Sequence, residues 1–245
     1  MNREIATDDD LSDWAMVWQS IVGSGHTVHE SICSAGVHTY HLFELVKNKN
    51  YNITLSGNYI TDDWLFNELK KVKDQVQISI YSSPQMLRFK EWQKLFLIKD
   101  EHTYNWFKGW LGEDTGQLHF LLDQNWLTTD TLKEIIPLFN SKASVGQSID
   151  SCLTSWLVNG RCPYSDGKYI DINFDGTVRT CPYADKGVLP KRGGSLNTLF
   201  GLKMLPRTCI YTELFGETNN GRINNTCLQN YITNNRSRSS CECFG

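Results

Sequence analysis

Eight cysteines are spread unevenly over these 245 residues: Cys33 stands alone early, and the others run from Cys152 to Cys243. Clustered thiols in an intracellular chain favour metal binding over structural bridges, because disulfides rarely persist in a reducing compartment. Cys162 and Cys181 bracket the stretch CPYSDGKYIDINFDGTVRTC. Inside it, Lys168–Asn173 and Thr177–Thr180 alternate on either side of Phe174-Asp-Gly, a strong local hairpin signal. Closing the hairpin draws the two thiols together. Four thiolates suit an iron–sulfur cluster or a structural zinc equally well. Cys241-Glu-Cys243 offers the second pair, since residues two apart in an extended stretch point the same way. Cys209 and Cys227 are the reserves, and spacing alone leaves iron and zinc both open.

Other reactive side chains point to less. His26 and His29 are three apart in an expected strand, so they face opposite ways and share no metal. Asp62-Asp63 suits the start of a helix, where carboxylates complement the dipole. Glu113-Asp114 adjoins no nucleophile. The eight tryptophans, Trp106 and Trp110 among them, read as core rather than as a stacking platform for bases.

Those side chains need a frame. Hydrophobic residues make up 40% and charged residues 21%, with a net charge of -3, which gives no electrostatic reason to expect nucleic acid. No apolar run is long enough to span a bilayer, and the acidic start lacks the apolar core of a signal peptide, so a cytoplasmic location is expected. Helical spacing marks Leu11–Ile21, Tyr40–Asn48 and Asp130–Phe139, and Thr61 is placed to cap a helix over Asp62–Lys73. Strands are expected over His26–Cys33, Tyr51–Ser56, Gln75–Tyr81 and Leu118–Leu122. The aromatic-rich Gln85–Leu111 reads as mostly helical, and Gln147–Leu153 as a last helix. No internal repeat is evident. Alternating strands and helices imply βαβ units and a parallel sheet, with ligand chemistry at the strand ends near Ser34, Ser56, Ser82 and Asp123. The expected fold is α/β: a partial open parallel (β/α) barrel over 1–155, then a small cysteine-rich β-hairpin module over 156–245.

Two stretches together resemble the radical S-adenosylmethionine enzymes. Tyr51–Ser82 is similar to their middle barrel strands, with Ser56-Gly57-Asn58 standing at a Thr-Asn-Gly-like turn and Ile78-Ser-Ile80 at the next strand. Cys162-x13-Gly176-x4-Cys181, followed by Gly194-Ser-Leu-Asn-Thr-Leu199, resembles the opening of the auxiliary-cluster module called SPASM or twitch. The resemblance implies cofactor contacts at Ser56, Asn58, Ser79, Tyr81 and Ser82, and one 4Fe–4S cluster held by Cys162, Cys181, Cys241 and Cys243. Two features depart from the family. The CxxxCxxC loop that holds the cofactor-cleaving cluster is missing, and Cys33-Ser-Ala-Gly-Val37 stands where a Gly-Gly-Glu-Pro turn belongs. What the resemblance then implies is a chain incomplete for radical generation, with a partner protein supplying the missing first βα unit. Its substrate would be a peptide or small molecule. A non-catalytic binding module that uses the barrel and a structural metal site, zinc or iron–sulfur, is the alternative.

Overall fold

A computed structural model describes residues 27–32, 50–165, 171–172, 178–181, 183–184 and 209–215. The helices expected over Leu11–Ile21 and Tyr40–Asn48 lie outside these residues. The chain divides into two compact units, Met1–Asp123 with Ile136–Ser148, and Gln124–Ile135 with Ile149–Gly245.

The first unit is built on a six-stranded sheet. Its strands are β1 (Val28–Ile32), β2 (Tyr51–Ser56), β3 (Val76–Ser79), β4 (Gln93–Ile98), β5 (Leu118–Leu122) and β6 (Gln147–Ile149), in that order across the sheet. Neighbours from β1 to β5 pair in parallel. The connecting helices include α1 (Asp63–Lys70), α2 (Ser83–Arg88) and α3 (Glu101–Trp110), and α4 (Thr129–Lys142) follows β5. When sequence neighbours are sheet neighbours, right-handed crossovers return every helix to the same side. That winding belongs to a (β/α) barrel wall, whereas a doubly wound sheet reverses its strand order. The α/β class is therefore observed, and the sheet is compatible with a partial barrel.

Strand alternation separates two faces. Ile53, Leu55, Val76, Ile78, Phe96, Ile98, Leu118, Phe120 and Leu122 are buried on the first. Phe96 packs edge-on against Trp110 at 4.7 Å, and Phe120 against Phe107 at 4.9 Å, so this face meets the helices. The other face carries Asn52, Thr54, Ser56, Gln77, Ser79, Gln93 and His119 alongside Leu95, Leu97 and Leu121. A closed barrel fills such inward positions with branched apolar residues. Here Thr54 donates to Gln77 Oε1 at 3.4 Å, Gln77 Nε2 donates to Gln93 Oε1 at 3.3 Å, and His119 Nδ1 lies 2.8 Å from Ser148 Oγ.

Three local readings are corrected. Gln85–Leu111 is not mostly helical, because β4 separates α2 from α3. Lys94 sits in the buried row of β4 and breaks its apolar alternation, which hides the strand. Its ammonium is 1% exposed as a residue yet fully partnered, donating to the carbonyls of Phe89 (3.0 Å), Lys90 (2.9 Å) and Trp92 (2.7 Å). Gln147–Leu153 holds strand β6 and then the start of a new helix. Asp62, not Thr61, caps α1, accepting from the Leu65 amide at 2.7 Å.

In the second unit, α5 (Ser151–Asn159) is followed by β7 (Asp171–Ile172), β8 (Val178–Arg179) and α6 (Ile210–Phe215). β7 and β8 pair antiparallel, Asp171 opposite Arg179 and Ile172 opposite Val178. The expected boundary at 155/156 would cut through α5. That helix belongs wholly to the second unit, where Trp156 stacks on Phe215 of α6 at 5.7 Å. No described helix is long and apolar enough to cross a membrane.

Candidate functional site

Cys152, Cys162, Cys181 and Cys209 line one small cavity within the second unit. None of the four is disulfide-bonded. Each thiol sits where a regular element starts or stops. Asp150 caps α5, its Oδ1 accepting from the amides of Cys152 (2.9 Å) and Leu153 (3.1 Å), and so fixes Cys152 in the first turn. Gly160 ends the helix at φ 66, a left-handed cap that turns the chain back towards Cys162. Ser155 Oγ holds that return by donating to the Arg161 carbonyl at 2.8 Å. Cys181 follows β8, and Cys209 directly precedes α6.

The sequence-based set is thus partly regrouped. Cys162 and Cys181 do share a cavity, and the reserve Cys209 joins them. Cys152, which the reading of spacing passed over, is the fourth. Cys241, Cys243 and Cys227 lie outside the described residues. A signal for the regrouping is present in the sequence. Cys162-Pro-Tyr164, Cys181-Pro-Tyr183 and Cys209-Ile-Tyr211 repeat a Cys-x-Tyr pattern, and all six of those residues line the cavity. The first two motifs also make the same turn: the Ser165 amide donates to the Cys162 carbonyl at 3.3 Å and the Ala184 amide to the Cys181 carbonyl at 3.0 Å. The chain therefore carries a short Cys-x-Tyr repeat.

The walls shape the electrostatics. Burial pushes the Cys152 thiol far above its ordinary range, and the nearby Asp150 carboxylate adds to the effect. Burial likewise pushes Cys181 up to about 11. Tyr183 and Tyr211 are raised by burial and then by Asp150. These thiols therefore rest protonated unless a cation compensates, as a coordinating metal does by ionising its thiol ligands outright. Gln124, whose Nε2 is buried without a hydrogen-bond partner, also lines the cavity.

As the side chains stand, no three His, Cys, Asp or Glu residues among those described converge tightly enough to hold one metal ion. Tetrahedral zinc, with Zn–S bonds of about 2.3 Å, needs sulfurs roughly 3.8 Å apart. The donor set itself, four thiols around a common space, is of the type that iron–sulfur clusters and structural zinc use.

The five residues expected to meet a cofactor gather at one edge of the other unit's sheet. Ser56 and Ser79 are register partners at the carboxyl ends of β2 and β3. Gln85 ties the rest together, donating from Nε2 to Asn58 Oδ1 at 2.7 Å and accepting at Oε1 from the Tyr81 amide at 2.6 Å. Gln85 was not singled out from sequence. Ser82 precedes α2 and its hydroxyl makes no capping bond, and Tyr81 is 49% exposed. The turn passes so close to β3 that a Cβ on Gly57 would lie 3.1 Å from the Ser79 carbonyl, a tight contact that glycine avoids. Of the paired carboxylates, Asp114 is engaged by Lys90 at 2.6 Å, which holds its carboxyl below the usual range.

No family model, curated protein or solved structure matches this chain.

Proposed function

We propose that this chain is a radical S-adenosylmethionine-like iron–sulfur protein that holds one 4Fe–4S cluster on Cys152, Cys162, Cys181 and Cys209. The observation that supports this most is the meeting of four thiols, none bonded to another, around one cavity. When bound, such a cluster supplies a site for storing one electron. Cys152 and Cys181 provide the buried thiolates, and Cys162 and Cys209 the two partly exposed ones. With all four ligand positions taken by protein, no iron is left open for a substrate, so the site serves electron relay or scaffolding. A partner segment would carry the cofactor-cleaving cluster, and the substrate would be a peptide or small molecule. The row of Ser56, Asn58, Ser79, Tyr81 and Ser82 would offer hydrogen bonds to S-adenosylmethionine at the carboxyl ends of parallel strands, the usual place for ligands in such sheets.

The test is anaerobic purification followed by iron, sulfide and zinc analysis. A brown protein with iron and acid-labile sulfide in near-equal amounts is the expected result. One zinc per chain with no iron would defeat the cluster reading and favour the alternative, a binding module with a structural metal. The chain alone, given a strong reductant and S-adenosylmethionine, is expected to form no 5′-deoxyadenosine.

A further inference from the structure

We infer that Gln85 is a positioning residue of the strand-end site, fixing Asn58 as a hydrogen-bond donor towards an acceptor atom of the ligand. The inference rests on the reading of that edge as a site for S-adenosylmethionine. A backbone N–H can only donate, so the Tyr81 amide, 2.6 Å from Gln85, must meet the carbonyl end of the carboxamide, Oε1. The other end of Gln85 is then an NH2 group, and Nε2 donates to Oδ1 of Asn58 at 2.7 Å. With Oδ1 held, the Asn58 carboxamide has one orientation. Asn58 is exposed, and the end it has left for a ligand is the Nδ2 donor. The relay is anchored on both sides. Gln85 lies in the first turn of α2, beside the buried Met86, and the buried Phe89 ends that helix. Gly57 lets the turn bearing Asn58 pass close to the Ser79 carbonyl and the Phe89 ring, where a Cβ would lie at 3.1 and 3.2 Å. The hydroxyls of Ser56, Ser79 and Ser82 donate or accept as a ligand requires, so they discriminate little. A carboxamide held at one end does discriminate. It favours atoms that only accept, such as the carboxylate oxygens and adenine ring nitrogens of S-adenosylmethionine. Gln85 itself has both ends engaged and acts through Asn58.

The experiment measures binding of S-adenosylhomocysteine, a stable relative of the cofactor with the same acceptor atoms, to the full chain by calorimetry. Gln85→Glu is the decisive variant. Its carboxylate still accepts from the Tyr81 amide but cannot donate to Asn58. The Asn58 carboxamide then turns over to donate inward and shows Oδ1 to the ligand, so affinity should fall about tenfold or more. Asn58→Ala should weaken binding as well, and adding Gln85→Glu to it should weaken binding no further, because the two residues act as one unit. Unchanged affinity in Gln85→Glu, or losses that add in the double variant, would overturn the inference alone. No binding by wild type would overturn the cofactor reading of this edge and the inference with it. Should the variants fail to fold, nuclear magnetic resonance of wild type decides. Hydrogen exchange at Gln85 Nε2 should be slower than at Asn58 Nδ2, and the Asn58 signal should shift when S-adenosylhomocysteine binds. The reverse order of exchange, or an Asn58 signal unmoved in the complex, would overturn the assignment.

Discussion

The hydroxyl of Tyr211 donates to Oδ1 of Asp150 across 3.2 Å, and both residues are buried. That oxygen also accepts from the amides of Cys152 and Leu153. One carboxylate oxygen therefore joins the start of α5, which bears Cys152, to the start of α6, which follows Cys209. Tyr211→Phe keeps the ring and removes only this bond. A hydrogen bond to a buried charged group contributes about 2 kcal/mol, so the variant should be less stable by about that amount. Denaturant unfolding of the metal-free chain measures it, and an unchanged midpoint would show that the bond does not connect the two helices energetically.

Lys94 makes stability depend on pH. Removal from water is the main cause that lowers its pKa from 10.5 to about 8, with Lys90 adding to it and Asp114 opposing. Below about pH 8 the folded and unfolded chains both hold this proton, and Lys94 contributes no slope. Between about 8 and 10.5 the unfolded chain binds more of it, so folding stability rises with pH. The expected result is a stability difference between wild type and Lys94→Met that grows in favour of wild type across that window. A difference flat from pH 7 to 10.5 would mean that the three carbonyls around Nζ keep its proton as firmly as water does.

Much of the sheet is legible in the sequence, and the reasons are local. β2 and β3 alternate apolar and polar residues, as strands with one helix-covered face do, and β5 is a short apolar run broken only by His119. β4 is not legible, because Lys94 occupies a core position that only its three carbonyl partners make tolerable. The candidate site divides in the same way. Cys162 and Cys181 can be paired from local hairpin geometry. Cys152 and Cys209 reach the cavity through the start of α5 and the start of α6, a long-range arrangement that no local period encodes. Gln124 has no signature at all, since an amide becomes informative only when its surroundings leave it without a partner.

Gly116 should tolerate no side chain. Its φ is 66, in the left-handed region, and a Cβ there would collide with the carbonyl oxygen of Lys90. The neighbouring amide geometry also matters, since that backbone belongs to the turn holding Lys94. Gly116→Ala combines a left-handed cost of about 1–2 kcal/mol with the clash, so destabilisation of at least about 2 kcal/mol is expected. Thermal and denaturant unfolding measure it. A variant as stable as wild type would show that the loop moves aside freely.

The last prediction separates two ligand sets that share Cys162 and Cys181. Local spacing completes the set with Cys241 and Cys243, whereas the cavity completes it with Cys152 and Cys209. Serine at a ligand position removes the thiolate while changing the volume little. If the cavity holds the cluster, Cys209→Ser and Cys152→Ser should each lose most of the iron after anaerobic reconstitution, and Cys243→Ser should keep it. Folding in this unit should weaken alongside, because ligation and folding are coupled at such centres. Cys152 is the sharper probe of the two, since Asp150 orients it and burial separates it from solvent, so no other thiol replaces it without moving α5. Iron retained in Cys152→Ser and Cys209→Ser but lost in Cys241→Ser and Cys243→Ser would transfer the cluster to the sequence-based set. The four-thiol cavity would then be a buried cluster of small side chains with no metal to hold.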